Sequence, residues 1–474
     1  MSCVWGEITG KEVADAVRGL IAKGDPAKPF AGISTDSRSI GPGYLFWAIP
    51  GERFDGHDFV EKVSGSGAAG AVIIKEKVDH LSPMHGMTLI AVEDTLKALG
   101  DFANLWRTES SAKVAAVTGS AGKTTTKEML HGILSLKGRA LKTMGNLNNL
   151  IGLPLTILGM SPEDNFAVLE MGMNRVGEIA RLMEIADPDV GVITNVGMAH
   201  LEGLGDINGV ARAKTEMVAG IRKSATVVLN GDDELLMKTA SPYGRNILTF
   251  GLKASNRIRA SRIRESHEGT TFTMFFDKAE QDVTLSVHGL HNIKNALAAA
   301  GAAMLLGASS AEIVRGLRLF TSLKGRFSPI ALPDGALMID DTYNANPLSL
   351  KAALDTLSSF ASGEERSIVV GLGDMRELGG AAVSAHREAG RMVAAIGAVR
   401  FFVVGEFALD MAQGAAEGGM APEAIVVCDS AEDMAEKLKR HISGKDIILL
   451  KASRKAGLDR VAFSLTEKAV QEGR

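Results

Sequence analysis

The chain reads as an α/β protein of three units: a small N-terminal α/β unit, a central unit built on a largely parallel sheet, and a doubly wound C-terminal unit. Three observations predict this. A length of 474 residues leaves room for about three domains at ~150 residues each. A content of 46% hydrophobic and 23% charged residues is that of an ordinary globular protein and argues against disorder. Apolar β-type runs also alternate with helical patterns over most of the length, as parallel βαβ units require.

The first block, 1–108, has short strand and helix patterns and closes on a helix-like segment, Thr95–Arg107. The second, 109–325, opens at Ser110-Ser111-Ala112; its runs Phe166–Leu169, Val190–Thr194 and Thr226–Leu229 alternate with helical patterns. In the third, 326–474, the runs Ala336–Ile339, Ser367–Val370, Phe401–Val404, Ala424–Val427 and Ile447–Leu450 do the same. Gly371-Leu372-Gly373 hints at a dinucleotide fingerprint, but Arg376 occupies the place of the third glycine, so a strand-end turn is the better reading.

Composition excludes several classes of function. A net charge of −4 leaves no basic footprint for nucleic acid. Two cysteines, Cys3 and Cys428, are too few for a disulfide framework or a zinc site. The N-terminus lacks a basic stretch followed by an apolar core, and the apolar stretch Ala296–Ala308 is too short and Ala/Gly-rich to insert in a membrane. A cytoplasmic protein is expected.

The most specific signal is Val114–Thr126, VAAVTGSAGKTTT. An apolar strand enters a Gly-rich turn, and a lysine followed by hydroxyl residues opens a helix. Backbone N–H groups of such a turn face an anion, Lys123 adds a point charge, and Thr124 can hold Mg²⁺. The standard spacing would need glycine at 117, where Val117 stands. Glu170 follows the run Phe166–Leu169 and would emerge at the carboxyl end of a buried strand, where a carboxylate suits a hard cation. His200 lies just past another strand end with Asn195 nearby. Lys214, in ARAKTEM, is of a kind that usually sits on a solvated helix face, and the residues alone do not set it apart.

Thr118–Thr125, Glu170, ITNVGMAHLEGLG and VARAKTEM, in that order, resemble the Mur ligase superfamily of ATP-dependent amide-bond-forming enzymes. TMGNLNNLIGLPLT, HGLHNIKNALAAAG, LKGRFSP, DDTYNANPLSLKAAL and GLGDMRELG narrow the resemblance to members that act on D-alanyl-D-alanine, and the match covers nearly the whole chain. It implies a UDP-substrate domain, a central P-loop-type ATPase domain and a Rossmann-like C-terminal domain; a monomer is expected, although the sequence does not determine the oligomeric state. It also implies the reaction. The terminal carboxylate of UDP-MurNAc-tripeptide takes the γ-phosphoryl group of ATP, and the amine of D-alanyl-D-alanine displaces phosphate through a tetrahedral intermediate. A carboxylate resists nucleophiles because it is anionic and lacks a good leaving group; phosphorylation corrects both faults.

The resemblance assigns roles residue by residue. Thr118, Gly119, Ser120, Ala121, Gly122, Lys123, Thr124 and Thr125 surround the ATP phosphates. Thr124 and Glu170 hold one Mg²⁺. His200 and a carbamylated Lys214 hold a second. Asn292 and Asn295, one helical turn apart, are assigned to adenine; a helix cap beside an ordinary polar residue is the plain alternative. Arg326 reaches the phosphates and Asp341 the ribose, so closure of the third domain completes the site. Ser37, Arg38, Asp55 and His57 resemble the uridine end, although each could be a turn. Asn146, Asn148 and Asn149 are expected at the muramoyl-peptide, and Tyr343, Asn344 and Asn346 at D-alanyl-D-alanine, with loop bracing equally open for each. Leu150, Arg175 and Ala452 depart from the family pattern, and the first two unsettle how the peptide arm is held. Rival readings are the ligase adding the third stem residue, folylpolyglutamate synthase, and a P-loop switch or motor that makes no bond.

Overall fold

A computed structural model describes residues 5–51, 53–81, 86–266, 268–276, 279–364 and 366–471, which form three sheets drawn from consecutive stretches of chain. The first contains β1 (Leu20–Lys23), β2 (Ile33–Ser34), β3 (Leu45–Trp47), β4 (Gly70–Ile74) and β5 (Thr88–Val92). Their order is β1-β5-β4-β3-β2, parallel except for β1 against β5.

The second sheet contains β6 (Lys113–Thr118), β7 (Ala140–Lys142), β8 (Phe166–Glu170), β9 (Val190–Ile193), β10 (Thr226–Asn230), β11 (Asn246–Gly251), β12 (Ile258–Ser266), β13 (Gly269–Phe276) and β14 (Ala279–Leu285). The order is β14-β13-β12-β11-β10-β9-β6-β8-β7. Strands β6 to β12 run parallel; β13 and β14 add an antiparallel meander that the sequence reading does not anticipate. Threonines alternate with apolar residues along the mostly buried β13, and β14 is mostly exposed, so neither strand carries the continuous apolar run of the others. Val117 of β6 faces Glu170 on one side and Val192 on the other. Three parallel strands therefore finish at one edge, where the strand order reverses and open α/β sheets bind ligands.

The third sheet contains β15 (Ser328–Ala331), β16 (Leu337–Asp341), β17 (Ser367–Gly373), β18 (Arg400–Val404), β19 (Ile425–Cys428) and β20 (Asp446–Lys451), in the order β15-β16-β20-β17-β18-β19. Only β15 is antiparallel. Gly371–Gly373 are the last residues of β17, and the turn begins after them.

Two helices decide how the units meet. The helix Thr95–Glu109, capped by Asp94, is fastened at both ends of its length. Trp47 Nε1 of the first sheet donates to Thr95 O (2.7 Å), while Trp106 Nε1 donates to Met160 O (3.1 Å) and Arg107 Nε to Ala186 O (3.1 Å). Trp5 stacks on Trp106 with ring centroids 5.0 Å apart, so the core is continuous from the first unit into the second. The Ala-rich stretch noted above belongs to the helix Leu290–Leu305, whose small side chains let it lie against the central sheet beside the helix Lys123–Leu134. No described helix is long and apolar enough to cross a membrane. Cys428 is a buried free thiol pushed up to about 11 by burial; Cys3 lies outside the described residues.

Candidate active site

A cleft of about 1570 Å³ runs along the carboxyl edges of the second and third sheets. Its floor is the turn after β6. Thr118 Oγ1 donates to Met171 O (2.9 Å), tying β6 to the end of β8. The chain then passes through Gly119 (φ +150°) and Gly122 (φ +82°). Both positions need glycine for space as well as conformation. A Cβ on Gly119 would lie 1.8 Å from Thr194 Oγ1, and one on Gly122 2.2 Å from Asn295 Oδ1. Val117 is still a buried strand residue, so the absent first glycine costs nothing.

Asn195 holds this turn from below. Ser120 N–H donates to Asn195 O (3.1 Å) and Ala121 N–H to Asn195 Oδ1 (2.9 Å). Ser120 and Ala121 thus spend their N–H groups internally. The donors left for an anion are those of the helix start, Gly122 to Thr125, which have no intrahelical acceptor. Lys123 Nζ donates to Gly119 O (2.8 Å). Burial pushes its pKa down, against the pull of Glu170, and Arg326 adds to the effect.

Glu170 is buried at the end of β8. Its Oε1 accepts from Asn148 Nδ2 (2.9 Å), whereas Oε2 is buried without any hydrogen bond. An oxygen lone pair left open at the floor of an anion-binding cleft suits a Mg²⁺ ligand. Thr124 Oγ1, the other expected ligand, accepts from Arg326 Nη2 (2.9 Å). Among the described residues no three His, Cys, Asp or Glu side chains converge on one point. Mg²⁺ commonly takes one or two carboxylates and completes its shell with phosphates and water, so this donor set fits it.

His200 adopts a left-handed backbone conformation (φ +58°), and so does Glu377 (φ +65°). Such strain in non-glycine residues clusters at functional sites. The two side chains meet across the cleft, with His200 Nδ1 2.5 Å from Glu377 Oε2 but without the alignment of a hydrogen bond. This contact holds the Glu377 carboxyl below its usual range despite burial. Lys214 is buried on the helix Ile207–Gly220 rather than solvated. Burial first, then the charge of Lys123, drives its pKa well below that of a free lysine. No carboxylate among the described residues pairs with it.

The third unit closes over this floor. Arg326 lies 4.1 Å above the Tyr343 ring, and Asn346 Nδ2 donates to Ser120 O (3.1 Å). Asp341, at the end of β16, accepts from Lys451 Nζ (2.6 Å); Lys451 also donates to Asn344 O (2.9 Å). Burial raises the Asp341 pKa, and Lys451 works against that.

Three family models match successive parts of the chain: the Mur ligase family catalytic domain over 29–107, the Mur ligase middle domain over 117–303, and the Mur ligase glutamate ligase domain over 325–454. The UDP-N-acetylmuramoyl-tripeptide–D-alanyl-D-alanine ligase of Bacillus subtilis is 36% identical over 97% of this chain and 98% of its own. The chain belongs to the Mur ligase family. It is therefore an ATP-dependent ligase. The Escherichia coli ligase of the same name is also 36% identical, over 97% and 98% of the two chains. A MurF crystal structure from Acinetobacter baumannii superposes with a TM-score of 0.87 at 32% identity, covering 97% and 98%. The Thermotoga maritima MurF ligase in complex with ADP gives 0.82 at 29%, covering 93% and 98%.

Within this Mur ligase, Lys123, Thr124, Thr125, Glu170, His200, Asn292, Asn295, Arg326, Asp341, Tyr343, Asn344 and Asn346 line one cleft, as do Asn146, Asn148 and Asn149. Several have side chains already engaged. Asn149 Oδ1 accepts from Gly152 N–H (2.8 Å), Asn346 Oδ1 from Ser349 N–H (2.8 Å), and Asn295 Nδ2 donates to Asn292 Oδ1 (3.3 Å). Thr118, Gly119, Lys214, Ser37, Arg38, Asp55 and His57 do not line the cleft. His57 is buried, with Nδ1 2.6 Å from Asp55 and Nε2 accepting from Ile74 N–H (3.0 Å); Arg38 forks onto Asp36. Sequence reasoning missed Lys451 and the support given by Asn195. Lys451 ends a strand beside Asp341, a signal that strand alignment alone could have supplied.

Proposed function

We propose that this Mur ligase joins UDP-MurNAc-tripeptide to D-alanyl-D-alanine at the expense of ATP, giving UDP-MurNAc-pentapeptide for peptidoglycan synthesis. The observation that carries the reading is the meeting of Lys123, Glu170 and His200 from the central sheet with Arg326, Asn346 and Glu377 from the C-terminal unit in one cleft. Block 1–108 would bind the UDP end, 109–325 the ATP, and 326–474 the dipeptide. That one chain lines the whole cleft supports a monomer as the working unit, and the use of ATP supports a cytoplasmic reaction.

The N–H groups at the start of the helix Lys123–Leu134, with Lys123 and Arg326, receive the β- and γ-phosphates. A substrate carboxylate oxygen attacks the γ-phosphorus and ADP leaves. The dipeptide amine then adds to the acyl carbon, and the C–O bond to phosphate breaks. The cations lower the cost of charge accumulating on the transferring group. Glu170 Oε2 and the Thr124 hydroxyl would hold a Mg²⁺ ion that neutralises phosphate charge when bound. His200 and Lys214 would hold a second. A buried, deprotonated amine is a nucleophile toward carbon dioxide, and the resulting carbamate replaces a cation with oxygen ligands. That accounts for a buried lysine with no acidic partner.

Mass spectrometry of products tests the reading. UDP-MurNAc-tripeptide, ATP and D-alanyl-D-alanine should give the pentapeptide, and meso-diaminopimelate or glutamate in place of the dipeptide should give nothing. Amide formation with either of those acceptors instead would overturn it.

A further inference from the structure

Behind Glu170 lies a ladder of three charged residues with no role in the reaction described above. Lys127 sits one helical turn beyond Lys123, on the same face of the helix Lys123–Leu134, and is 1% exposed. Its ammonium donates to Thr143 O (2.7 Å), lies 3.1 Å from Glu128 Oε1, and stops 3.8 Å from Glu170 Oε2. Glu128 in turn pairs with Lys142, which is partly exposed. Alternating charges thus run from the surface inward, Lys142, Glu128, Lys127, Glu170.

The arrangement has two properties. Lys127 places positive charge beside a buried carboxylate, yet its nearest donors are committed to Thr143 and Glu128, so Oε2 stays open. The same residue closes a ring with the backbone of Glu170. Thr143, whose carbonyl takes the ammonium, accepts the Glu170 N–H on its hydroxyl (2.9 Å), and Asn148 holds Oε1 from the other side. Burying an ammonium this completely is costly unless its hydrogen bonds are met. The helix that receives the phosphates is thereby coupled to the direction in which Glu170 points.

We propose that Lys127 is a positioning residue that aims Glu170 Oε2 into the phosphate cleft and sets its affinity for the divalent cation of the bound nucleotide. This rests on the assignment of Glu170 as a metal ligand. Groups that orient metal ligands typically change metal affinity by roughly 10–100-fold when removed. Electrostatics alone predicts the reverse. Loss of a nearby positive charge would leave Glu170 more attractive to a cation, so the two accounts differ in sign.

The test is binding of Mn²⁺ to the ADP complex, followed by electron paramagnetic resonance, in the full-length protein and in Lys127→Met, Lys127→Arg and Glu170→Gln. ADP binding in EDTA is measured in parallel by calorimetry. Lys127→Met should weaken Mn²⁺ binding about tenfold or more while metal-free ADP binds as before, and Lys127→Arg should recover part of the loss. Unchanged or tighter Mn²⁺ binding in Lys127→Met overturns the proposal, as does an equal loss of metal-free ADP binding. If Lys127→Met fails to fold, Glu128→Gln, which releases the Lys127 ammonium toward Glu170 Oε2, decides by the same readout, and no loss of Mn²⁺ affinity there overturns it. Glu170→Gln separates the two levels. If it leaves Mn²⁺ binding intact, the metal assignment itself falls; if it abolishes binding and Lys127→Met does not weaken it, only this inference falls.

Discussion

The two sheet edges that face the cleft are built on opposite plans. At the edge of the central sheet, polar groups are left open: Glu170 Oε2 has no hydrogen bond, the N–H groups of the first helical turn have no intrahelical acceptor, and Lys214, buried behind the cleft lining, has no acidic partner among the described residues. At the edge of the C-terminal sheet, charges are closed on one another. Asp341 takes Lys451, and Asp374 accepts from Glu406 and Phe407 N–H (3.0 and 3.1 Å). His386, buried and stacked on Phe407, braces the same loop by accepting from Met375 N–H (2.8 Å). The first edge keeps unmet potential for ligands, and the second is a rigid jaw that carries Arg326, Asn346 and Glu377 to it. Substitutions at the open edge should therefore cost chemistry, and those at the closed edge stability.

Lys123→Ala should have the largest effect, lowering phosphate release by roughly 10³-fold or more, since a charge aimed at the transferring group is lost. The melting temperature should stay level or rise, because a desolvated lysine has been removed. A melting temperature that falls with activity would break the comparison. Lys214→Ala should lose about 10²-fold and regain part of that with added acetate or formate, which supply the missing carboxylate oxygens. Steady-state phosphate release with and without those anions measures it. At the closed edge, Lys451→Met should leave the half-buried Asp341 without its ion pair, holding only the Phe327 N–H, and destabilise the protein by about 1–2 kcal/mol in chemical denaturation. An unchanged midpoint would show that the pair is not holding the jaw.

The smallest effect concerns His291, which lines the cleft. Burial, with a lesser contribution from Lys451, lowers its pKa to about 4. The unfolded chain then binds more protons than the folded one between about pH 6.5 and about 4. The His291 contribution to stability is complete above that window and is lost as the pH falls through it. A histidine NMR titration should place the His291 midpoint far below the others, and Lys451→Met should raise it. A midpoint near 6.5 would contradict the burial argument.

Most of the architecture was legible because parallel strands buried on both faces write themselves as apolar runs; Phe166–Leu169 and Ile447–Leu450 fall inside β8 and β20. The meander β12–β14 was not legible, because β12 and β14 are largely exposed or half-buried and the buried β13 alternates threonine with its apolar residues, so no continuous apolar run marks it. The cleft positions of Glu170 and His200 could be read from their places at and beyond strand ends. Lys214 could not. Its burial depends on the packing of the helix Ile207–Gly220, and local sequence gives an ordinary surface lysine. Asp55 and His57 show the opposite limit: their polar character suggests a ligand, and only the fold shows that they also meet each other and Ile74. Pairing across a fold is invisible in one dimension.

The claim that the cleft exists to activate a carboxylate has a direct test. UDP-MurNAc-tripeptide labelled with ¹⁸O in its terminal carboxylate is turned over with ATP and D-alanyl-D-alanine, and the released phosphate is analysed by mass spectrometry. Transfer through an acyl phosphate places one ¹⁸O atom in each phosphate formed. Unlabelled phosphate accompanying amide product would mean that the γ-phosphoryl group never reaches the carboxylate, and the reading of the two edges would be wrong.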